Sequence, residues 1–474
     1  MNRREFLTGS AIGVTSLGIS QVLHARRAAI NTDGLAKCRN ANVLMITCHD
    51  IGRHLGCYGV RTVHTDNLNG LAKKGIRFQN YFATDCVCSP SRGGILTGRY
   101  PQANGLMGLT HQPWGWSLNK DEKHIAAILN QAGYETILVG LQHVTSKDPA
   151  SLGYQRVLSR ERKAEQTVQA TKVLLRKARK QNRPFFMKVG FFEVHRPFTV
   201  GKDTEKGIFI PHFLKDTPQI REDLAKFQGT IRFFDKCVGE ILEALRKSRV
   251  ADNTLVIFTA DHGIPYPGAK WCLYDPGIET PLIMYHPATV LEGGKVFKQL
   301  MSNVDFLPTL LDILGVEIPH NLQGHSFRDV IEGTQTDSPR NEIFAQRTSH
   351  ALRDNTSRTV RTTRYKLIRY FEPGRTIEFP TDAVPQRVAE HTERPKRPMG
   401  KRPVVQLFDL KQDPHERNDL AASPEYANIV RDLSNRLWRW MEEVGDPILE
   451  GPLVTPYYRQ AMEDYRRFQH QRSK

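Results

Sequence analysis

Four short apolar runs, each emptying into a carboxylate or an imidazole, constrain this chain more than any other feature. "NVLMIT" (42–47) leads to Cys48, His49 and Asp50, and "TILVG" (136–140) leads to His143. "PFFMKVGFF" (184–192) leads to Glu193 and His195, and "TLVIFT" (254–259) leads to Asp261, His262 and Gly263. Continuous apolar runs of this length suit strands covered on both faces. Helical patterns lie between them: "TDNLNGLAKKG", "IAAILNQAG", "AEQTVQATKVLLRKARKQ" and "RFFDKCVGEILEALRKS". Strand–helix alternation predicts an α/β fold with a doubly wound, mostly parallel sheet. In such sheets ligands bind beyond the carboxyl ends of the strands. One such residue could simply be a satisfied buried histidine. Four strand ends carrying them predict a shared site.

Past about residue 335 the texture changes. "RTVRTTRYKLIRYF" and "VVQLFDL" read as strands of an antiparallel sheet, and "EYANIVRDLSNRLWRWMEEVG" as a closing amphipathic helix. The Pro/Arg/Lys-rich stretch 373–403 between them reads as a long loop. The expected division is an export segment at 1–30, an α/β catalytic domain at 40–335 and a smaller α+β unit at 336–474.

The segment "MNRREFLTGSAIGVTSLGISQVLHARRAA" has a basic start, a mildly apolar centre and a small-residue cleavage site near Ala25. Its Arg3-Arg4-x-Phe6-Leu7 order looks like a twin-arginine export signal, so a periplasmic or secreted location is expected. The apolar centre is too short to span a bilayer, and no other stretch reaches about 18 apolar residues, so no transmembrane anchor is expected. The seven cysteines are scattered, without a C-x-x-C pair, which argues against a disulfide framework in a chain of 474 residues. The formal charge is +17, and 358–402 holds 12 Lys/Arg against 5 Asp/Glu. Without a compact basic–aromatic block, nucleic acid is not the expected partner. A solvated basic face and a polyanion-contacting face both fit.

Asp50 and Asp261, on separate strand ends, suggest a shared cation. Their oxygens favour Ca²⁺ or Mg²⁺, whereas the adjoining His49 and His262 lean towards a softer ion; Asp50 could alternatively cap a turn. In "CVCSPSRGGILTGRYPQANG" (86–105), Cys88 and Arg92 share one helix face at i, i+4, and Pro90 fits the first turn. Gly98 and Pro101 should end this helix. A helix N-terminus and a forked guanidinium together favour a tetrahedral oxyanion. A thiol is a poor ligand for a hard cation; a modified side chain bearing oxygens fits better. A lone cysteine there could also be a small buried hydrophobe.

Cys88-Ser89-Pro90-Ser91-Arg92 resembles the C-x-P-x-R signature of the type I sulfatases in the alkaline phosphatase superfamily. "GYETILVGLQH" (133–143) resembles their second signature, and "NVLMITCHDIGRHLGCYG", "NVDFLPTLLDILGV" and "LFDLKQDPHERNDLA" follow in family order. "GIPYPGAKWCLYDPG" is most similar to the sulfamidases, the heparan N-sulfatases. The resemblance implies that a formylglycine-generating enzyme oxidises Cys88 to formylglycine. One hydroxyl of its hydrate attacks sulfur, and the other expels sulfate. It further implies that Arg92 holds that group, and that Asp50, Asp261, His262 and residue 88 bind one Ca²⁺, with His49 beside them and Mg²⁺ or another divalent ion as the lesser choice. His143 and His195 would flank the diol and leaving group, and Lys270 would meet the sulfate. His350, in "AQRTSHALRD", is a further substrate-binding candidate on a sulfated carbohydrate.

Two positions depart from the family pattern. Leu141 stands where the second signature carries lysine, leaving Lys270, or a residue such as Lys188, to supply the charge. His49-Asp50 stands where Asp-Asp is usual. These departures keep two other readings open: a phosphate mono- or diester hydrolase of the same fold, and a sulfated-glycan-binding protein that has lost turnover.

Overall fold

The computed structural model describes residues 34–159, 163–178, 183–350, 353–374 and 402–472, without the side chains of 349–350, 353–355, 457 and 471–472. The expected export segment, and most of the 373–403 loop, lie outside the described residues.

An eight-stranded sheet forms the centre of the molecule. Its strands are β1 (Asn42–Cys48), β2 (Ile76–Phe82), β3 (Glu135–Gly140), β4 (Arg156–Leu158), β5 (Phe185–Gly190), β6 (Thr254–Ala260), β7 (Leu282–Tyr285) and β8 (Lys295–Ser302). They lie in the order β4-β3-β5-β1-β6-β7-β2-β8. All pairings are parallel except those of β7, which runs antiparallel to β6 and β2. Every residue of β1, β5 and β6 is buried. That explains their uninterrupted apolar sequence: both faces are covered, one by a layer including Ala164–Ala178 and Pro218–Lys247, the other by one including Ile125–Gln131 and Phe306–Leu314.

The three central strands end in register. Thr47 of β1 pairs with Gly190 of β5 and Thr259 of β6, and Cys48 pairs with Ala260. Backbone bonds continue past the ends: His49 N–H donates to Glu193 O at 3.1 Å, and Gly52 N–H to His262 O at 3.0 Å. The three exits are therefore laced together before any side chain is considered.

A second, antiparallel sheet runs β12-β11-β10-β9, from β9 (Glu342–His350), β10 (Arg353–Thr362), β11 (Tyr365–Tyr370) and β12 (Val405–Asp409). Helix Ala427–Glu443 covers it through Leu433, Leu437, Trp440 and Met441. Trp440 stacks flat on Phe344, centroids 4.9 Å apart. Ile343, Ala345, Ile368 and Phe408 join the core of the large sheet. A fully buried ion pair, Arg358 with Asp446, ties β10 to the end of the covering helix.

The helix carrying Cys88 spans Cys88–Thr97 and ends at Gly98, at φ +65°. Pro101 opens a separate short helix, Pro101–Asn104, instead of closing the first. The predicted helix at 232–248 begins earlier, at Pro218, where Thr217 caps it by accepting Ile220 N–H.

Candidate active site

Cys88 is the first residue of its helix and is 2% exposed. Two buried side chains fix that helix against the sheet. Ser91 Oγ donates to the Asp261 carbonyl at 2.5 Å. Asn303 Nδ2 donates to Ser91 O and Oγ at 3.2 and 3.1 Å, while its Oδ1 accepts Thr84 N–H at 3.1 Å. Gly94 is required here, since a β-carbon would lie 2.4 Å from Thr84 Oγ1.

Five of the expected residues meet. His49, Asp50, Cys88, Asp261 and His262 each offer one ligand atom, all within 4.8 Å of one another, and all five are buried. His262 Nε2 lies 3.3 Å from Cys88 Sγ and 3.3 Å from Asp50 Oδ1. His49 Nδ1 lies 3.0 Å from Asp261 Oδ2 and 3.3 Å from Asp50 Oδ1. Arg92 holds Asp261 from beneath, through Nε and Nη2 to Oδ2 at 3.1 and 3.0 Å, and donates through Nη2 to Cys48 O at 3.0 Å. Lys270 Nζ, 1% exposed, donates to Asp50 Oδ2 at 2.8 Å.

The charges are strongly coupled. Burial opposes ionisation of Asp50, but Lys270, His195 and His262 outweigh it and hold the carboxyl well below its usual range. Asp261 is held low in the same way by His262, Arg92 and His49. Burial likewise disfavours a Cys88 thiolate, yet Lys270, His49 and His262 pull its pKa well below that of an ordinary thiol. Burial disfavours the His49 imidazolium; Asp261 and Cys88 prevail and raise its pKa to about 10. The centre therefore favours anionic ligands at residue 88 and cations between the two carboxylates.

Two further histidines border the cluster. Burial keeps His143 neutral, with a pKa of about 4; its ring centroid lies 5.5 Å from that of His49, and its Nδ1 has no hydrogen-bond partner among the described residues. His195 Nε2 lies 3.8 Å from Asp50 Oδ2, with its Nδ1 2.7 Å from the Arg196 carbonyl. Asp50, His143 and Trp271, beside Lys270, adopt φ of +53°, +58° and +66°. Strained left-handed residues gathered at one place are a mark of functional sites.

Not every expectation falls at this centre. Lys188 is wholly buried, and its Nζ donates to the Leu141 carbonyl at 3.0 Å. It lines a small cavity below the site with Thr47 and Arg92, so it is not placed beside Cys88 as a replacement for the missing lysine. His350 is the last residue of β9; its side chain lies outside the described residues. Conversely, the sequence reading missed His111, whose Nδ1 lies 3.3 Å from His143 Nε2 with the rings stacked at 22°. No spacing signal announces it, because it comes from a loop between helices. Asn303 was also missed, although its segment belongs to the quoted family run.

Two carboxylates from distant strand ends offer oxygens that fit a divalent cation, and His49 and His262 would join them on losing their ring protons. The thiol at position 88 is the mismatched member for a hard ion, and an oxygen-bearing residue there would remove the mismatch.

An open α/β sheet with a buried His/Asp/Cys cluster at its carboxyl edge, beside a helix-borne residue 88, has the architecture of an alkaline phosphatase-like hydrolase. The sulfatase family profile matches residues 41–316, and a second profile, N-sulphoglucosamine sulphohydrolase, C-terminal, matches 268–396. The chain belongs to the sulfatase family and is a sulfuric ester hydrolase. It is 28% identical to N-sulphoglucosamine sulphohydrolase of Homo sapiens, over 88% of this chain and 93% of that protein. It is 29% identical to an ulvan-active sulfatase of Formosa agariphila, over 85% and 80% of the two chains. A solved 2-O GAG sulfatase superposes with a TM-score of 0.68 at 20% identity, covering 88% of this chain and 95% of that one.

Proposed function

We propose that the protein removes sulfate from a sulfated carbohydrate, using a formylglycine made from Cys88 and one bound divalent cation, Ca²⁺ being the first choice. The convergence of Cys88 with two carboxylates, two imidazoles and Lys270 carries this reading. An N-sulfated glucosamine is the first substrate to try, supported by the match of residues 268–396 and by the human relative; the ulvan-active relative keeps O-sulfated algal glycans in view.

Asp50, Asp261, His262 and His49, with residue 88, would hold the cation. The cation would polarise the sulfuryl oxygens, and the formylglycine hydrate would supply a hydroxyl nucleophile. Arg92 fixes Asp261 and the Cys48 carbonyl, so the donor set keeps its shape. Lys270 places positive charge where negative charge grows on the sulfuryl oxygens. His143, neutral and with Nδ1 unbonded, is suited to take a proton from the group at residue 88. His195, beside Asp50, is suited to give one to the departing oxygen or nitrogen.

The division into an export signal (1–30), a catalytic unit (40–335) and a smaller unit (336–474) is part of this proposal, supported by the change from one sheet to the other near residue 340. A twin-arginine signal would export the chain folded to the periplasm or beyond. Because Cys88 is buried in the fold, a formylglycine-generating enzyme would have to act first, in the cytoplasm. Mass spectrometry of exported protein checks this: an unmodified thiol at residue 88 would refute it. The activity is tested by co-expressing the chain with that enzyme and measuring sulfate release from defined heparan, chondroitin and algal oligosaccharides, alongside matched phosphate esters. Release of sulfate by the wild type but not by Cys88→Ala is expected. Faster cleavage of phosphate esters, or tight glycan binding without turnover, would refute it.

A further inference from the structure

Far from Cys88, the surface holds a groove of about 510 Å³ whose charged lining residues are all cationic: Arg61, Lys73, Arg77 and Lys206. They come from four separate places: the loop after β1, helix Asp66–Lys74, the start of β2 and the 200–210 loop. Among the described residues no carboxylate lines the groove and none of these four cations forms an ion pair. Some exposed cations elsewhere are neutralised, as Arg221 is by Asp216 and Arg246 by Glu243. Four unpaired cations around one concavity repel each other, a cost that an anionic partner would remove.

Arg77 is the most ordered of the four. Its Nη1 donates to Gln79 Oε1 at 2.6 Å, and its guanidinium lies 5.2 Å from the Tyr58 ring centre. A half-buried fork fixed in this way is suited to an oxyanion with two acceptor oxygens. Arg61, Lys73 and Lys206 are exposed and free to follow a flexible chain. The groove opens at the amino end of β2, whereas Cys88 follows its carboxyl end. Seven strand residues separate the two by roughly 20 Å. A single sugar cannot reach both places, but a polymer can.

We propose that this groove is an exosite for the sulfated polysaccharide chain, holding sulfate groups remote from the one being cleaved. The choice of polymer rests on the proposed sulfatase function; the groove itself specifies repeated, flexible anionic groups.

The test uses the matured, full-length protein and the double variant Arg61→Glu/Lys206→Glu, both positions being exposed. Binding is measured by calorimetry at two salt concentrations, with a heparin dodecasaccharide and its desulfated counterpart as probes. We expect at least a tenfold loss of affinity for the sulfated probe in the variant, a shallower salt dependence, and weak binding of the desulfated probe to both proteins. Sulfate release from a monosaccharide sulfate should be unchanged, while kcat/KM on the polymer falls about tenfold. Unchanged dodecasaccharide affinity would overturn the exosite, as would equal affinity for the desulfated probe or for single-stranded RNA. Absence of monosaccharide turnover in the wild type would instead count against the sulfatase reading, and the binding measurements would still decide the groove.

Discussion

Replacing Lys270 by methionine isolates one buried charge. The side chain keeps its length and loses its ammonium, which sits 2.8 Å from Asp50 Oδ2 with the two side chains 1% and 0% exposed. Stripping one partner from a buried pair costs about 3–5 kcal/mol. Asp50 retains His262 at 3.3 Å and His49 at 3.3 Å, so the lower end, about 3 kcal/mol, applies. With about 2 cal/mol/K of unfolding entropy per residue, a chain of 474 residues has an unfolding entropy near 1 kcal/mol/K. Lys270→Met should therefore melt about 3 °C below wild type in EDTA. A saturating divalent cation gives Asp50 a new positive neighbour, so in CaCl2 the deficit should fall by half or more. Scanning fluorimetry at one fixed heating rate reads both numbers. No deficit in EDTA would show that Asp50 does not depend on Lys270; an equal deficit in EDTA and in calcium would show that Asp50 does not meet the cation.

Arg92→Lys loses the planar fork that grips Asp261 Oδ2 through two nitrogens while reaching Cys48 O; sulfate release should fall at least a hundredfold while near-UV circular dichroism stays native. Gly190→Ala places a β-carbon 1.9 Å from Leu141 O, and the urea midpoint should drop by the equivalent of about 3 kcal/mol or more. His124 Nδ1 accepts Ala126 N–H at 3.1 Å in the buried first turn of its helix, and burial lowers its pKa from 6.5 to about 3. The folded state needs the neutral ring, so this stability is complete above pH 6.5 and is lost as pH falls towards 3, at about 1.4 kcal/mol per pH unit. His124→Asn keeps an acceptor without the titration, and its urea midpoint should vary less between pH 6.5 and 4.5.

The central sheet was legible because β1, β3, β5 and β6 are covered on both faces, which forces apolar runs that no helix period explains. The strands near the other edge were not. β2 alternates as "IRFQNYF", and β8, the edge strand, exposes most of "KVFKQLMS" until its last three residues. Such sequences look like loop or amphipathic helix until a neighbouring strand is known. β9 and the exposed, polar helix Pro456–Arg472 also went unread. In the site, Asp50, Asp261, His262 and Cys88 could be read because each follows a strand or opens a helix with a strong local signature. His111 and the inward course of Lys188 could not. Nothing local tells which way a lysine inside an apolar strand will point, and Lys188 was settled by the carbonyl of Leu141, some 47 positions away in the chain.

The common register of β1, β5 and β6 has a consequence for what a misassembled molecule can do. Side chains alternate across a sheet, so sliding any of these strands by one rung would turn its terminal residue towards the wrong side. Asp50 and Asp261 would then face away from each other, and neither could be rescued by a small adjustment. Chains of this protein should accordingly sort into competent and inert populations with few weakly working ones between. A low specific activity in a preparation would then count dead molecules, not slow ones.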